Sequence, residues 1–436
     1  MIQNQERYII ICYSTSEMLK ADGLLRSMEI KTELVPTPSE FGEICSTSIA
    51  ISGEDRDFAL KLLIEHPLGY KEIHRYQSRK MEGLIRSLKT NRITALFREI
   101  IGKIEQGKTP TKGEITYLLK TENQGEIEAI FNAADRMRKE IVGDVVEIRG
   151  AIEFSNYCRK SCNYCGIRKG CEETQRYRMS QEEILAEVHK LHAMGLKTVI
   201  LQSGEDDYYT AEMLVKIIKR IKIETGMKIT LSIGELSREQ YQTLREAGAN
   251  HFLLKIETTN REIFNFIHPD DDFDHRVQCQ KWLRELGYVN GSGNMIGLPG
   301  QRPEDIAEDI LYFKEMGIHM IGIGPFIPAK GTPFETCARG SVDMTLRAVA
   351  VTRLICKNVF LPATTALASI DPDGQSKALK AGANTIMLIS TPMKYRSNYQ
   401  IYSNKNMIDL ASAFKAVEDA GRKLPKYLNI IPEEAV

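Results

Sequence analysis

From about residue 147 onward the sequence alternates between short apolar runs and helical stretches, and this alternation constrains the fold more than any other feature. Repeated strand–helix units predict a parallel sheet covered by helices, because two parallel strands need a long crossover connection. The eight apolar runs span residues 146–154, 198–202, 229–233, 252–256, 293–297, 320–326, 363–368 and 385–389. Eight units in roughly 245 residues predict a closed (β/α)8 TIM barrel, for which ~250 residues is typical. A doubly wound open sheet fits the alternation equally well, but the absence of a Rossmann fingerprint favours the closed barrel.

Two further regions precede the barrel. Residues 1–78 predict a small α+β domain of ferredoxin-like βαββαβ type. Its expected strands are 8–13, 32–35, 49–51 and 70–76, and its expected helices are 15–28 and a run around 60–63. Residues 79–145 lack a strand pattern, and Thr111 with Glu114 fits a capping box, so we expect a helical linker there. Residues 146–436 would then form the barrel with a C-terminal helical extension.

Composition narrows the class of protein. Lys plus Arg and Asp plus Glu both number 58, so the balanced charge argues against a nucleic-acid or anionic-membrane partner. No apolar run reaches the ~20 residues that cross a bilayer, and the polar start does not resemble a signal peptide. We therefore expect a cytoplasmic protein, in which the nine cysteines stay reduced and are candidates for metal binding.

The strongest chemical signal is a C-x3-C-x2-C triplet formed by Cys158, Cys162 and Cys165, directly after the first barrel strand. Three thiolates on one loop can each bind a different iron of a 4Fe–4S cluster, which normally takes four cysteines. The fourth iron would stay open, and an open coordination position is typical of a catalytic metal. A structural zinc site with Cys171 as fourth ligand is the alternative, although zinc usually takes paired knuckles; incidental thiols are a third possibility.

The triplet, with Tyr164 before its last cysteine, resembles the signature of the radical S-adenosylmethionine (SAM) superfamily. The surrounding sequence resembles the HydE family of hydrogenase maturases from about residue 97 to 402. The stretches that carry this resemblance are 152–156, 201–206, 295–301, 322–328 and 361–366. The N-terminal unit more weakly resembles selenium/sulfur carrier-like domains, on residues 14–15, 34–38 and Cys45.

The resemblance implies two cofactors, a 4Fe–4S cluster and SAM, whose reductive cleavage gives a 5′-deoxyadenosyl radical. Ser203, Gly204 and Glu205 resemble the stretch that receives the methionyl ammonium group, although a plain turn is the alternative. Arg276 stands where similar barrels place an arginine for the methionyl carboxylate, and a surface charge is its alternative. Glu257 would accept from the ribose hydroxyls unless it only pairs with Lys255. By analogy the backbone of Tyr164 should flank the adenine.

Candidate substrate residues lie elsewhere around the expected mouth. Thr364 and Thr365 fall on predicted strand seven, and Tyr395 and Arg396 follow strand eight. Hydroxyls with a guanidinium would suit an anionic or amino-acid-like substrate, whereas ordinary strand packing and a surface arginine are the alternative. Lys255 is also a candidate, because Lys-Ile-Glu-Thr stands where HydE-type sequences usually read Arg-His-Glu-Thr, which puts the substrate's identity in doubt.

Three functions remain open on the sequence. The first is a HydE-like maturase acting on an iron-containing, cysteine-derived precursor. The second is a related radical SAM enzyme acting on an amino acid, such as a methylornithine-synthase-like mutase, and the third is a non-enzymatic iron–sulfur carrier. Expected partners are a small-molecule substrate, an electron donor such as ferredoxin or flavodoxin, and other hydrogenase maturases. Cys45 makes the N-terminal unit either a carrier or a passive interaction module.

Overall fold

The computed structural model describes residues 6–13, 15–37, 47–66, 68–76, 83–84, 92–172 and 174–429. The chain divides into two compact units, residues 1–83 with 139–143, and residues 84–138 with 144–436. Within the described residues no helix is both long and apolar enough to cross a membrane. The division of the chain at residues 78 and 145 stays a prediction.

The first unit is built on a four-stranded antiparallel sheet. Its elements are β1 (Arg7–Cys12), α1 (Thr15–Ser27), β2 (Glu33–Pro36), β3 (Thr47–Ser52), α2 (Arg56–Glu65) and β4 (Tyr70–Tyr76). The strand order β2-β3-β1-β4 puts β1 in the centre, with Tyr8 opposite Ile51 on one side and Arg75 on the other. Ile9, Ile11, Val35 and Ala50 form its apolar core. This arrangement confirms the predicted ferredoxin-like domain.

Three helices come before the barrel: α3 (Ala95–Glu105), α4 (Lys112–Lys120) and α5 (Gln124–Val142). The predicted capping box is present at the start of α4, where Thr111 accepts from the backbone of Glu114 and Glu114 accepts from the backbone of Thr111. Residues 95–142 are therefore mainly helical, as the sequence predicts.

The described residues of the second unit form seven parallel strands in the order β10-β9-β8-β7-β6-β5-β11. The strands are β5 (Glu147–Ser155), β6 (Thr198–Ser203), β7 (Lys228–Ser232), β8 (His251–Leu253), β9 (Val289–Ile296), β10 (Met320–Pro325) and β11 (Thr385–Ile389). The helices are α6 (Gln181–Ala193), α7 (Ala211–Thr225), α8 (Arg238–Ala247), α9 (Arg261–Ile267), α10 (Phe273–Glu285), α11 (Pro303–Glu315), α12 (Val342–Cys356), α13 (Thr365–Ile370), α14 (Gly374–Lys380), α15 (Met393–Arg396) and α16 (Leu410–Asp419).

Within the described residues, the predicted seventh strand differs from its expected structure. Residues 363–368 do not form a strand, because Thr364 is the N-cap of α13. Instead, Phe360 bridges to Met320 of β10 and Pro362 bridges to Thr385 of β11, both in parallel. Two isolated bridges therefore connect the two edge strands, β10 and β11, at the place where the sequence predicts a further full strand. The predicted barrel is thus closed by seven regular strands and these two bridges.

Different parts of the chain lie at the two ends of the barrel. Arg149 of β5 reaches across the interior to the sulfur of Met320 on β10 and stacks on the ring of Phe360. Residues 398–407, which we call the C-terminal strap, contact two loops that follow barrel strands and the helix α13. Its contacts are Gly166 N–H to Ile401 O, Ser403 N–H to Pro328 O, and Asn406 N–H to the Ser369 hydroxyl. The strap thus lies over the mouth of the barrel.

Candidate functional site

The cysteine loop, residues 156–178, leaves β5 and curls around a single arginine. The Arg176 guanidinium donates to the carbonyl oxygens of Asn156, Ile167 and Arg168. Because three carbonyls of one irregular loop share this donor, the loop keeps a fixed path without regular secondary structure. The N–H of Cys165 donates to the oxygen of Cys162 at 3.3 Å, which makes a tight turn between the last two cysteines.

A second segment, residues 266–271, supports the same loop from the side of α9; we call it the docking segment. The N–H of Asn163 donates to Ile267 O at 2.9 Å, and its side-chain amide donates to Phe266 O at 2.7 Å. The N–H of Ser161 donates to the Asp270 carboxylate at 2.8 Å. Ser161 and Asn163, on either side of Cys162, are therefore held by hydrogen bonds that do not use the cysteine sulfur atoms.

The three cysteines share one environment. Burial raises the pKa of the Cys165 thiol to about 12, with a contribution from Cys158. Burial also raises the pKa of Cys162 well above its ordinary value, with contributions from Cys165, Asp271 and Cys158. Because burial disfavours the thiolate form, a bound metal would supply the compensation that three thiolates need here.

The arrangement fits a multi-iron cluster better than a single ion. A tetrahedral zinc ion with Zn–S bonds near 2.3 Å would draw its sulfur ligands to about 3.8 Å from one another. Within the described part of the chain, three potential ligand atoms that all lie within 4.8 Å are found only at Cys162, His268 and Asp271. The three cysteine sulfurs do not form such a group, and neither do they form one with Cys171.

His268 and Asp271 are engaged with other groups. The Nε2 atom of His268 lies 3.1 Å from the Tyr164 hydroxyl. The Asp271 carboxylate pairs with Lys160 and, at 2.9 Å, with Arg276. Burial, with the charges of Arg276, Lys160 and Lys255, holds the pKa of His268 well below its ordinary value, so the ring is neutral. The donor set that remains is three cysteines, which suits a cluster with one open iron.

Glutamates follow three successive strands at the mouth: Glu205 after β6, Glu235 after β7 and Glu257 after β8. Each of the first two stands directly after a glycine, and both glycines permit close contacts. A Cβ on Gly234 would collide with the side chain of Glu205, and a Cβ on Gly204 would collide with the backbone at Tyr157. The three carboxylates are therefore brought to one end of the barrel by strand order and close packing.

Glu205 lies against the cysteine loop. Its backbone oxygen accepts from the N–H of Arg159 at 2.9 Å, and its carboxylate accepts from the Arg159 guanidinium at 3.1 Å and from the Glu235 N–H. Burial raises the pKa of Glu205 although Lys160 opposes the shift. Ser203 donates its hydroxyl to the carbonyl of Gly204 at 2.7 Å. The predicted ammonium-binding stretch, residues 203–205, thus lies beside the cysteine loop. An acceptor for the ammonium group of SAM would need this position, close to the cluster.

Arg276 is buried on α10 among acidic groups. Its guanidinium donates to Glu235, to the Lys255 carbonyl at 2.7 Å and to Asp271 at 2.9 Å. Burial opposes the charge, but Glu235 and Asp271 raise the pKa of Arg276 above its ordinary value. Three of the five N–H groups are used, which leaves two for an anionic ligand. Its role toward the methionyl carboxylate stays a prediction.

Glu257 has an unusual backbone conformation. Its φ is +62°, in the left-handed region that a glutamate seldom adopts. Hydrogen bonds from Glu257 N–H to Gly293 O and from Met295 N–H to Glu257 O hold it there. Its carboxylate lies 2.8 Å from Lys255 Nζ. Strain of this kind is concentrated at functional sites, which supports a functional role for Glu257. The ion pair with Lys255, which is the alternative explanation for this glutamate, is also present.

The four remaining candidates for substrate binding lie in two places. Thr364 donates to the Ile323 carbonyl at 3.3 Å, and half-buried Thr365 begins α13. The Tyr395 hydroxyl donates to Glu183 at the start of α6 at 3.0 Å. Arg396 Nε donates to the Thr391 carbonyl at 2.9 Å. Thr364 and Thr365 are thus near β10, whereas Tyr395 and Arg396 make contacts at the β11 side of the mouth.

The sequence interpretation missed a buried ion pair under the strap. Lys405 of the strap pairs with Glu153 of β5, which is 1% exposed, and the Thr391 hydroxyl donates to the same carboxylate at 3.3 Å. Glu153 sits in an apolar strand, where a charge is costly unless it is paired. A glutamate in an apolar strand was therefore a sequence signal that could have been used. Lys405, more than 250 residues away in the chain, carries no sign in its own sequence that it pairs with Glu153.

Glu235, His268 and Asp271 were also missed. Glu235 had a sequence signal, because Gly-Glu ends two successive strands at 204–205 and 234–235. His268 and Asp271 follow a short helix in a polar run, which gives no indication of contact with the cysteine loop.

In the first unit, burial and Glu17 raise the pKa of Cys12 to about 12. Cys45 lies outside the described residues.

Comparison with known proteins agrees with this geometry. Residues 152–349 match the Radical SAM superfamily, and residues 7–75 match the family described as "Putative Se/S carrier protein-like". The [FeFe] hydrogenase maturase subunit HydE of Thermotoga maritima is 43% identical over 332 residues, 75% of this chain and 95% of that protein. The 3-methylornithine synthase of Methanosarcina acetivorans is 30% identical over 73% of this chain and 91% of its own length. A crystal structure of methylornithine synthase (PylB) superposes with TM-score 0.67 at 27% identity, over 75% of this chain and 98% of that one.

The barrel and its cysteine loop therefore define a radical SAM enzyme, whose cofactors are a 4Fe–4S cluster and SAM. Within that superfamily, the chain belongs to the family of the maturase HydE. The described residues fit these cofactors, with three cysteines for the cluster and a strand-end glycine–glutamate stretch beside them. A small-molecule substrate and an electron donor are the partners that this class of enzyme requires.

Proposed function

We propose that this enzyme is a HydE-like maturase that acts in assembly of the [FeFe]-hydrogenase active-site cluster. The observation that carries the proposal is the 43% identity with HydE over 95% of that protein, in a chain whose three cysteines form one loop at the barrel mouth. A reduced 4Fe–4S cluster supplies the electron that splits SAM into methionine and a 5′-deoxyadenosyl radical. Cys158, Cys162 and Cys165 would hold that cluster.

The neighbouring residues would orient SAM. Ser203, Gly204 and Glu205 would accept from its ammonium group, because their oxygens lie beside the cysteine loop. Arg276 would donate its two remaining N–H groups to the carboxylate of SAM. Glu257 would accept from the ribose hydroxyls.

Tyr164 completes the proposed SAM site, and its backbone would flank the adenine. The Glu153–Lys405 pair and the strap above it would limit access of water to the interior, since both side chains are nearly inaccessible to solvent.

The substrate would occupy the interior beneath these groups. Lys255, Thr364 and Thr365 offer an ammonium group and two hydroxyls near β8 and β10, which suits an anionic or amino-acid-derived molecule. Tyr395 and Arg396 would contribute from the β11 side after their present hydrogen bonds are exchanged. Ferredoxin or flavodoxin would supply the electron, and other hydrogenase maturases would exchange intermediates with the enzyme.

A second candidate is a mutase that acts on an amino acid. It is supported by the 30% identity with 3-methylornithine synthase and by the TM-score of 0.67 with PylB. Ile256 stands where HydE-type sequences usually carry histidine, and the loss of an imidazole near the mouth favours a changed substrate over a changed radical step.

Complementation separates the two candidates. A strain that lacks its own maturase HydE should recover hydrogen production when it carries this chain, and a Cys162→Ala variant should not restore it. Soluble, cluster-loaded protein that gives no hydrogen would instead favour the mutase. The mutase activity would be detected as radical-dependent rearrangement of a labelled amino acid.

A further inference from the structure

His268 is buried directly beneath the aromatic residue of the cysteine loop. It is 2% exposed and lies in the docking segment after α9. Its ring centroid lies 4.5 Å from that of Phe264 and 5.5 Å, edge-on, from that of Tyr164. Its Nε2 atom is 3.1 Å from the Tyr164 hydroxyl. His268 therefore holds the Tyr164 side chain through one hydrogen bond and one ring contact.

Tyr164 is well placed to transmit this constraint, because it stands between two cluster ligands. Its neighbour Asn163 is hydrogen-bonded on both sides, to Ile267 O through its N–H and to Phe334 N–H through its carbonyl. These bonds hold residue 163 and the cysteines beside it when the Tyr164 side chain is released. Loss of the His268 contact should therefore let the Tyr164 ring and its own peptide shift and leave the three cysteines where they are.

We propose that His268 is a positioning residue for SAM, which holds the Tyr164 ring so that the backbone of Tyr164 keeps the place where it flanks the adenine end of the cofactor. His268 acts through Tyr164 and does not itself touch the cofactor. The inference rests on the proposed function, since Tyr164 is assigned there to the SAM site.

Three single variants and one double variant test it in the full-length, cluster-loaded protein. Tyr164→Phe removes only the hydroxyl, His268→Leu removes the partner, and His268→Gln keeps a side-chain amide for the hydroxyl. Iron and sulfide per chain, SAM affinity by equilibrium dialysis, and KM and kcat for 5′-deoxyadenosine are measured for each. Tyr288→Phe, which removes a buried hydroxyl bonded to the Tyr241 carbonyl, and His189→Leu, on the surface of α6, are matched controls.

We expect full iron content in all variants and a SAM affinity that falls about tenfold in Tyr164→Phe and in His268→Leu, as for loss of one buried hydrogen bond. KM should rise by the same factor while kcat changes little. The double variant should bind SAM no more weakly than the weaker single variant, and His268→Gln should recover part of the affinity. Both controls should match the wild type.

The proposal is overturned if SAM affinity is unchanged in Tyr164→Phe and His268→Gln, or if the two effects add fully in the double variant. It is also overturned if iron content falls while the loaded fraction binds SAM normally, because His268 would then only support the loop. If His268→Leu does not fold, Tyr164→Phe and His268→Gln still decide the matter. A wild-type protein that binds SAM but forms no 5′-deoxyadenosine would contradict the proposed function and leave this binding test intact.

Discussion

Gly204, at the end of β6, lies directly against the backbone that carries Cys158. A Cβ added at residue 204 would stand 2.7 Å from the Cβ of Cys158 and closer still to the carbonyl oxygen of Tyr157. Both obstacles belong to the backbone or to a Cβ atom, so neither can move without the loop. The glycine thus sets how closely the predicted ammonium-binding stretch approaches the cluster ligands.

Gly204→Ala should therefore displace the first cysteine. We expect the variant to fold, with iron content after reconstitution and 5′-deoxyadenosine formation each reduced at least about tenfold, because a few tenths of an ångström matter at a metal site. Gly102→Ala on α3 is the control, since an added Cβ there meets nothing within 4 Å. It should raise the free energy of unfolding by about 0.5–1 kcal/mol and leave the cluster unchanged. Normal iron content in Gly204→Ala would refute the close-contact argument.

Two glutamates share the same left-handed backbone conformation, Glu29 in the first unit and Glu257 at the barrel mouth, both with φ of +62°. Glycine relieves such strain, which costs about 1–2 kcal/mol in an ordinary residue. Glu29→Gly should therefore stabilise its exposed turn by about 1 kcal/mol with no change in activity. Glu257→Gly gains the same relief, offset by loss of the Lys255 ion pair, so its stability should stay within about 1 kcal/mol of wild type.

The two variants should differ in function. We expect Glu257→Gly to weaken SAM binding at least about tenfold, measured by equilibrium dialysis, because the carboxylate that we propose accepts from the ribose hydroxyls is lost. Glu29→Gly should bind SAM like the wild type. Equal SAM affinity in both variants would show that Glu257 serves only Lys255.

Asp309 on α11 should make stability depend on pH. It is fully buried, and it accepts from the N–H and hydroxyl of Thr259 and from the Asn294 amide. Burial raises the pKa of Asp309 to about 7, so the folded protein retains a proton that the unfolded chain loses near pH 4. Its contribution to stability is present below pH 4 and is lost as the pH rises toward 7.

The matched variant is Asp309→Asn, which imitates the protonated carboxyl. Its amide can donate to Asn294 Oδ1, which has no hydrogen-bond partner, once the Asn294 amide turns over. Urea unfolding at pH 5.5 and pH 7.5 should show the wild type losing about 1–2 kcal/mol relative to the variant over this interval. A difference between the two proteins that does not change with pH would contradict the assignment.

Arg353 should be essential to closure of the barrel. From α12 it donates to the carbonyls of Gly382, Lys357 and Val359 and to the side-chain oxygen of Asn384, with its guanidinium fully buried. Arg353→Met removes the arginine donor from the three carbonyl oxygens and leaves the Asn384 oxygen with only the N–H of Leu361. The free energy of unfolding should fall by at least about 3 kcal/mol, because each buried unsatisfied group costs roughly 1–3 kcal/mol.

The control for this prediction is Arg220→Met on α7, where Arg220 pairs only with Glu182 and Glu224 at the surface. Exposed pairs contribute about 0–1 kcal/mol, so urea unfolding should change little. Similar losses in the two variants would show that the closure does not depend on Arg353.

The same region shows where sequence information stops. The apolar run at 363–368 has no period that separates a strand from a buried helix, and Thr364 turned out to be a helix N-cap. Pro362 lacks an N–H and cannot continue a ladder, so its neighbour Leu361 donates to the Asn384 side chain instead. The other seven strands were predictable because each repeats one simple pattern of apolar run and crossover helix.

At the site, residues were predictable where one short motif supplies the chemistry. Cys158, Cys162 and Cys165 are close in sequence, and their loop follows a strand. His268 and Lys405 act through contacts with Tyr164 and Glu153 that are more than 100 residues away in the chain. Their local sequence carries no sign of those partners, and only the fold brings them together.

The most direct test of the central claim is formation of 5′-deoxyadenosine by the protein after anaerobic reconstitution with iron and sulfide, reduction and addition of SAM. The account predicts product from the wild type, none from Cys162→Ala, and nearly wild-type product from Cys171→Ala, whose thiol is buried on the same loop and accepts from Thr174. Product from Cys162→Ala at the wild-type level, or its loss in Cys171→Ala alone, would contradict a three-cysteine cluster with one open iron.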